Sequence, residues 1–71
     1  NLEIFNIDTT IICEYPKINP WREQILNKLS EILKISVSKI GLKAATSEQI
    51  GIIGENKAMA VRSLVNLKEK L

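Results

Sequence analysis

The segment Ile4–Tyr15, IFNIDTTIICEY, alternates with period two and stops at a proline. Side chains along a strand point to opposite faces in turn. Phe5, Ile7, Thr9, Ile11, Cys13 and Tyr15 therefore share one face, and Asn6, Asp8, Thr10 and Glu14 the other. The β-branched content suits a pleated, half-buried position. A strand of this length has to pair with others and cover its apolar face with a second layer.

The rest of the chain supplies those partners. Two prolines in YPKINP end the strand, and Asn19-Pro20 reads as a helix N-cap followed by proline at the first helical position. Trp21, Ile25, Leu29, Ile32 and Leu33 then recur at helical spacing and predict one buried stripe through about Lys34, with Arg22, Glu23, Lys28 and Glu31 outward. SVSKIGLKA alternates again: Ile40, Leu42 and Ala44 point one way, Lys39, Gly41 and Lys43 the other. In the tail, Met59, Val61, Ser63, Val65 and Leu67 share one side of a strand, whereas a helix there would carry interruptions at Arg62 and Asn66. The order is strand, helix, strand, strand, an α/β class with an α+β-like two-layer build.

With 71 residues this is one domain or part of one, and folded domains of this size are marginal. One cysteine and no histidine exclude a disulfide, a Ser-His pair and a His-bound metal within the chain. A net charge of +2, dispersed along the chain, points to neither a nucleic acid nor a membrane partner. No apolar run nears the ~18 residues of a membrane span. A lone thiol fits a reducing cytosol. The chain starts at Asn1 without a methionine and runs almost at once into a strand; processing, a tag and a fragment of a longer polypeptide each explain that equally well.

Two loops carry candidate chemistry. In open α/β sheets ligands bind beyond the carboxyl ends of the strands, so EYPKIN (Glu14 to Asn19) and KAATSE (Lys43 to Glu48) would flank one cleft if their strands are parallel. Lys17 is either a phosphate partner or a solvated loop lysine. Thr46-Ser47-Glu48-Gln49 fits a capping box, which satisfies the first amides of a helix; the same amides bind phosphate. Glu48 is a first-turn carboxylate or a magnesium ligand. Cys13 has no catalytic partner nearby and reads as a small strand residue. The glycine spacing in GIIG, Gly51 to Gly54, matches the clamp of KH-type RNA-binding domains, although Ile-Ile and Glu55 suit phosphate poorly.

Taken together, Asn6-x-Asp8-x-Thr10-Ile11-Ile12 with the following Pro16-Lys17, and Lys43-Ala44-x-Thr46-x-Glu48-x-x-Gly51, resemble the C-terminal half of 2-C-methyl-D-erythritol 2,4-cyclodiphosphate synthases. The resemblance covers nearly all of this chain and a little under half of the family's usual length. It implies a mixed-sheet α/β subunit of a homotrimer. It also implies a phosphorus-oxygen lyase of non-mevalonate isoprene biosynthesis, in the cytoplasm or a plastid-like organelle. The reaction closes CDP-methylerythritol 2-phosphate to a cyclodiphosphate and expels CMP. Residues 1–71 would be the nucleotide-binding part of a single synthase domain. A small non-enzymatic α/β binding module, KH-like, and a degenerate homologue are the alternatives.

Carried over by position, Cys13, Glu14, Tyr15, Pro16, Lys17, Ile18 and Asn19 line the cytosine pocket, largely through backbone. Ala45, Thr46, Ser47 and Glu48 meet the diphosphate. Thr46 stabilises the transition state, and Glu48 holds a magnesium or manganese ion bridging the phosphates. Ile52 and Glu55 line the trimer channel or touch ligand. The family's zinc ligands would lie in the N-terminal half, absent from this chain. Ala45 stands for a usual threonine, Ile52 for a frequent phenylalanine, and Glu55 and Lys57 for an arginine and a glutamate. The resemblance therefore does not carry over anion binding through that arginine. The swapped charge order suggests a retained interface pair.

Overall fold

The computed structural model describes residues 1–71. In chain order it contains β1 (Leu2–Ile12), α1 (Arg22–Leu33), β2 (Ile40–Ala45), the single helical turn α2 (Gly51–Gly54) and β3 (Ala60–Glu69). The strands form one sheet in the order β2-β1-β3. β1 runs parallel to β2, from Ile7 opposite Ile40 to Ile12 opposite Ala45, and antiparallel to β3, from Leu2 opposite Glu69 to Ile12 opposite Ala60. The sheet is mixed, and the expected strand–helix–strand–strand order holds with α2 added.

Several boundaries differ from the sequence pattern for local reasons. β1 covers Leu2–Ile12 rather than Ile4–Tyr15, and a bulge between Ile4 and Asn6 takes Phe5 out of the alternation. Phe5 is exposed, with the Lys68 ammonium 5.5 Å from its ring centroid. Asn19 opens a 3-10 turn, Asn19–Trp21, and is not a cap; α1 starts at Arg22 with no side-chain cap. The helix ends at Lys34 in the left-handed region (φ 58°), where the amides of Lys34 and Ile35 both donate to the Ser30 carbonyl, at 2.8 and 3.3 Å. Residues 37–39 form a second 3-10 turn, capped by Ser36 Oγ accepting from the Ser38 amide at 3.2 Å, so β2 begins only at Ile40. β3 continues to Glu69, past the expected end near Leu67.

The helical stripe is also displaced. Ile25, Leu26, Leu29 and Leu33 are half-buried, whereas Trp21 and Ile32 are exposed. Arg22, expected outward, donates from its guanidinium to the Leu42 carbonyl on the edge strand β2. Edge strands present unpaired main-chain groups, and this contact closes one of them.

The core is confined to β1 and β2: Ile7, Thr9, Cys13, Ile40 and Leu42 are buried, and no residue of β3 is. Ile7 faces Ile40 and Thr9 faces Leu42 across the parallel ladder, which places these four on one face. The chain exposes 5550 Å², against about 4,400 Å² for a folded monomer of this mass. Its radius of gyration is 14.2 Å, against about 11 Å for a compact domain of this length. Both excesses reflect an uncovered sheet rather than a loose core.

Candidate functional site

Because β1 and β2 are parallel, their carboxyl ends finish side by side. The Cys13 amide donates to the Ala45 carbonyl at 3.1 Å, adding one rung beyond the last residue of β1. Past that rung the two chains diverge and leave a cleft of about 200 Å³ lined by Cys13, Pro16, Lys17, Ile18, Asn19, Ala44, Ala45 and Thr46. The two loops singled out in the sequence thus meet at one edge. Cys13 is buried, and its thiol donates to the Pro16 carbonyl at 3.4 Å, shaping the first loop. The Ile18 carbonyl accepts from the Trp21 amide at 2.8 Å, which turns the chain into α1. Lys17 brings a positive charge to the cleft wall.

The second loop departs from the expected capping box. Glu48 and Gln49 have φ of 55° and 65°, left-handed values that no helical first turn contains. Thr46 Oγ1 accepts from the Glu48 amide at 3.3 Å, and Ser47 Oγ donates to the Ile50 carbonyl at 2.9 Å. The helix begins later, at Gly51, with Ile50 as an N-cap lacking any side-chain bond, and it lasts four residues. Glu48 is consequently not a first-turn carboxylate.

What overrides the local capping pattern is the side chain of Glu14. Its Oε1 accepts from the Gln49 amide at 2.9 Å and the Ser47 amide at 3.1 Å. The opposite side of the turn is closed by Gly54, where an added Cβ would lie 2.1 Å from the Gln49 carbonyl carbon. Only glycine permits that approach.

The remaining expected residues are spread around the cleft rather than in it. Tyr15 is 70% exposed and does not line the cavity. Ile52 is exposed on α2, and Glu55, just beyond it, pairs with Lys57 at 3.6 Å in solvent. The GIIG segment is itself the helical turn α2. Ala44, not among the expected site residues, lines the cleft near the end of β2, where it is exposed. The one available signal was its small size at the end of the Ile40, Leu42, Ala44 alternation.

The donor chemistry limits the kind of metal site. No three His, Cys, Asp or Glu side chains come together, and the chain lacks histidine, so its residues do not fit a zinc centre. Glu48 lies two residues past Thr46 in the second loop and does not itself line the cavity. No helix is long and apolar enough to cross a membrane.

Comparison with known proteins adds lineage to this geometry. A family model described as the YgbB family matches residues 1–68. The bifunctional enzyme IspD/IspF of Gluconobacter oxydans is 44% identical over 64 residues, which cover 90% of this chain and 16% of that protein. The crystal structure of 2C-methyl-D-erythritol 2,4-cyclodiphosphate synthase from Plasmodium vivax superposes with a TM-score of 0.97 at 41% identity, over 100% of this chain and 47% of that one. Plasmodium falciparum IspF, solved as a CDP complex, gives a TM-score of 0.89 at 37% identity, over 94% of this chain and 42% of that one. The chain spans less than half the length of these solved relatives.

Proposed function

The chain belongs to the YgbB family, and on that premise we propose that residues 1–71 are the nucleotide-binding part of a cyclodiphosphate synthase domain. The whole protein closes CDP-methylerythritol 2-phosphate to the cyclodiphosphate and releases CMP, in the supply of isoprenoid precursors. The observation that carries this reading is the cleft between the β1 and β2 loops, in a chain that superposes on a relative solved as a CDP complex.

In this reading the segment from Cys13 to Asn19 holds the cytosine. Beyond Ile12 it leaves the sheet, so main-chain donors and acceptors around Tyr15 and Lys17 are free to match a base edge. Lys17 offsets phosphate charge. The Thr46 hydroxyl and the backbone of Ala45 approach the diphosphate, and with alanine at 45 the Thr46 hydroxyl carries the polar contact there. When bound at Glu48, magnesium or manganese supplies charge neutralisation for the two phosphates. Phosphoryl transfer asks little covalent work of a protein, and positioning with charge stabilisation carries most of the rate. Zinc, the methylerythritol pocket and the remaining trimer contacts belong to sequence outside these residues. Ile52 and Glu55, on and just after an exposed turn, fit a place at a subunit interface.

Calorimetric titration of the polypeptide that carries this chain, with CDP and Mg²⁺ in one arm and short single-stranded RNA in the other, tests the reading. CDP binding that strengthens with Mg²⁺ is expected. Binding of RNA with no effect of cytidine nucleotides would overturn it in favour of an RNA-binding module. The 71 residues alone should produce no CMP from the CDP-linked substrate, because the groups outside them are required.

A further inference from the structure

We propose that Glu14 is a positioning residue whose carboxylate fastens the Ser47–Gln49 turn in the conformation that presents Thr46 to the cleft and holds Glu48 in the turn just beyond it. The inference rests on the nucleotide-binding reading above. It assigns the Glu14 side chain to the loop rather than to the nucleotide.

Two consecutive non-glycine residues, Glu48 and Gln49, hold left-handed backbone. Such backbone is disfavoured for residues that carry a Cβ. Local bonds support the turn, from the Glu48 amide to Thr46 Oγ1 and from the Ile50 amide to the Ser47 carbonyl. Further support comes from across the cleft, where one carboxylate oxygen takes the amides of Ser47 and Gln49. Bonds of this kind, from amides to an ionised acceptor, are the stronger class. Successive amides that converge on one point form an anion-binding nest, and here the nest is filled by the protein's own carboxylate. Ser47 and Gln49 therefore do not offer their amides to phosphate. The diphosphate is left to the Thr46 hydroxyl, to Lys17 and to a cation at Glu48. Glu14 follows directly on Cys13, whose amide makes the last main-chain rung to Ala45, so the side-chain bonds extend the ladder between the cleft walls.

The test compares wild type, Glu14→Ala and Glu14→Gln in the full-length protein. Hydrogen exchange is read at the Ser47 and Gln49 amides, with β1 and β2 core amides as the control for folding. Affinities for CDP with Mg²⁺ and for cytidine are read in parallel. Glu14→Ala should speed exchange at Ser47 and Gln49 and weaken CDP binding by about tenfold, as expected for loss of charge-assisted bonds. Cytidine should lose clearly less affinity than CDP, because it has no phosphate. Glu14→Gln keeps an acceptor oxygen but loses the charge, and should show smaller versions of both effects. Unchanged exchange at Ser47 and Gln49, or equal loss of CDP and cytidine affinity, would overturn the proposal. If Glu14→Ala loses core protection, Glu14→Gln decides: a partial rise in exchange at the two amides supports the role, and wild-type exchange refutes it. A wild type that binds no cytidine nucleotide would sink the functional reading alone, since the exchange data still judge the role of Glu14 in the loop.

Discussion

β1 with β2, and β3 beside them, are made of similar residues but end in different environments. Ile7 and Val65 sit opposite each other across the β1–β3 ladder, as do Thr9 and Ser63. Ile7 is 8% exposed and Val65 46%. The difference is cover: α1 packs beside β2, and no element lies against the face of β3. β3 is instead held by its ladder and by polar links, Thr9 to Ser63 at 2.9 Å, Asn66 to Asn6 at 2.7 Å and Lys68 to Glu3 at 3.6 Å. Register can thus be set by hydrogen bonds and paired side chains without a dry core. Val61, Leu64, Val65 and Leu67 remain open to solvent.

The largest expected effect pits the two halves against each other. Leu42, 3% exposed, sits in the small core, and Leu42→Ala should cost about 2–5 kcal/mol. Leu64 on β3 is 64% exposed, and Leu64→Ala should cost no more than about 0.5 kcal/mol. Urea unfolding of the full-length protein measures both. A Leu64 cost that rivals the Leu42 cost would break the contrast and show that another part of the protein covers β3.

A middle-sized effect tests the polar seam. Ser63→Ala leaves the buried Thr9 hydroxyl without its partner. An orphaned buried hydroxyl costs about 1–3 kcal/mol, and Ser63→Thr should recover most of it. A Ser63→Ala variant as stable as wild type would mean that the ladder alone fastens β3. The smallest effect belongs to the exposed Glu55–Lys57 pair. Glu55→Arg should change monomer stability by less than about 1 kcal/mol, and that change should shrink in salt. Sedimentation of the full-length protein read alongside it bears on the interface idea: an association state unchanged by the substitution counts against an interface role for the pair.

Much of the fold was legible because periodicity is a local property. The alternation of Ile7, Thr9, Cys13 and of Ile40, Leu42 named the buried faces of β1 and β2, and both motifs of the family resemblance lie on them or in the loops just beyond. Trp21 and Ile32 were misjudged because a helical stripe read from spacing is wider than the strip a short sheet covers. The loop residues around the cleft, Pro16 to Asn19 and Ala45 to Thr46, were legible from strand ends and prolines. The shape of the second loop was not.

From residues alone came the order of the main elements, the two loops able to share one edge, and the family resemblance. Each depends on spacing within a few residues or on motifs of fixed register. Only the tertiary structure decided that Thr46–Gln49 is a left-handed turn and not a helix start. The deciding bonds run from Glu14 to residues 33 and 35 positions away, and a carboxylate that far along the chain leaves no mark on the local pattern.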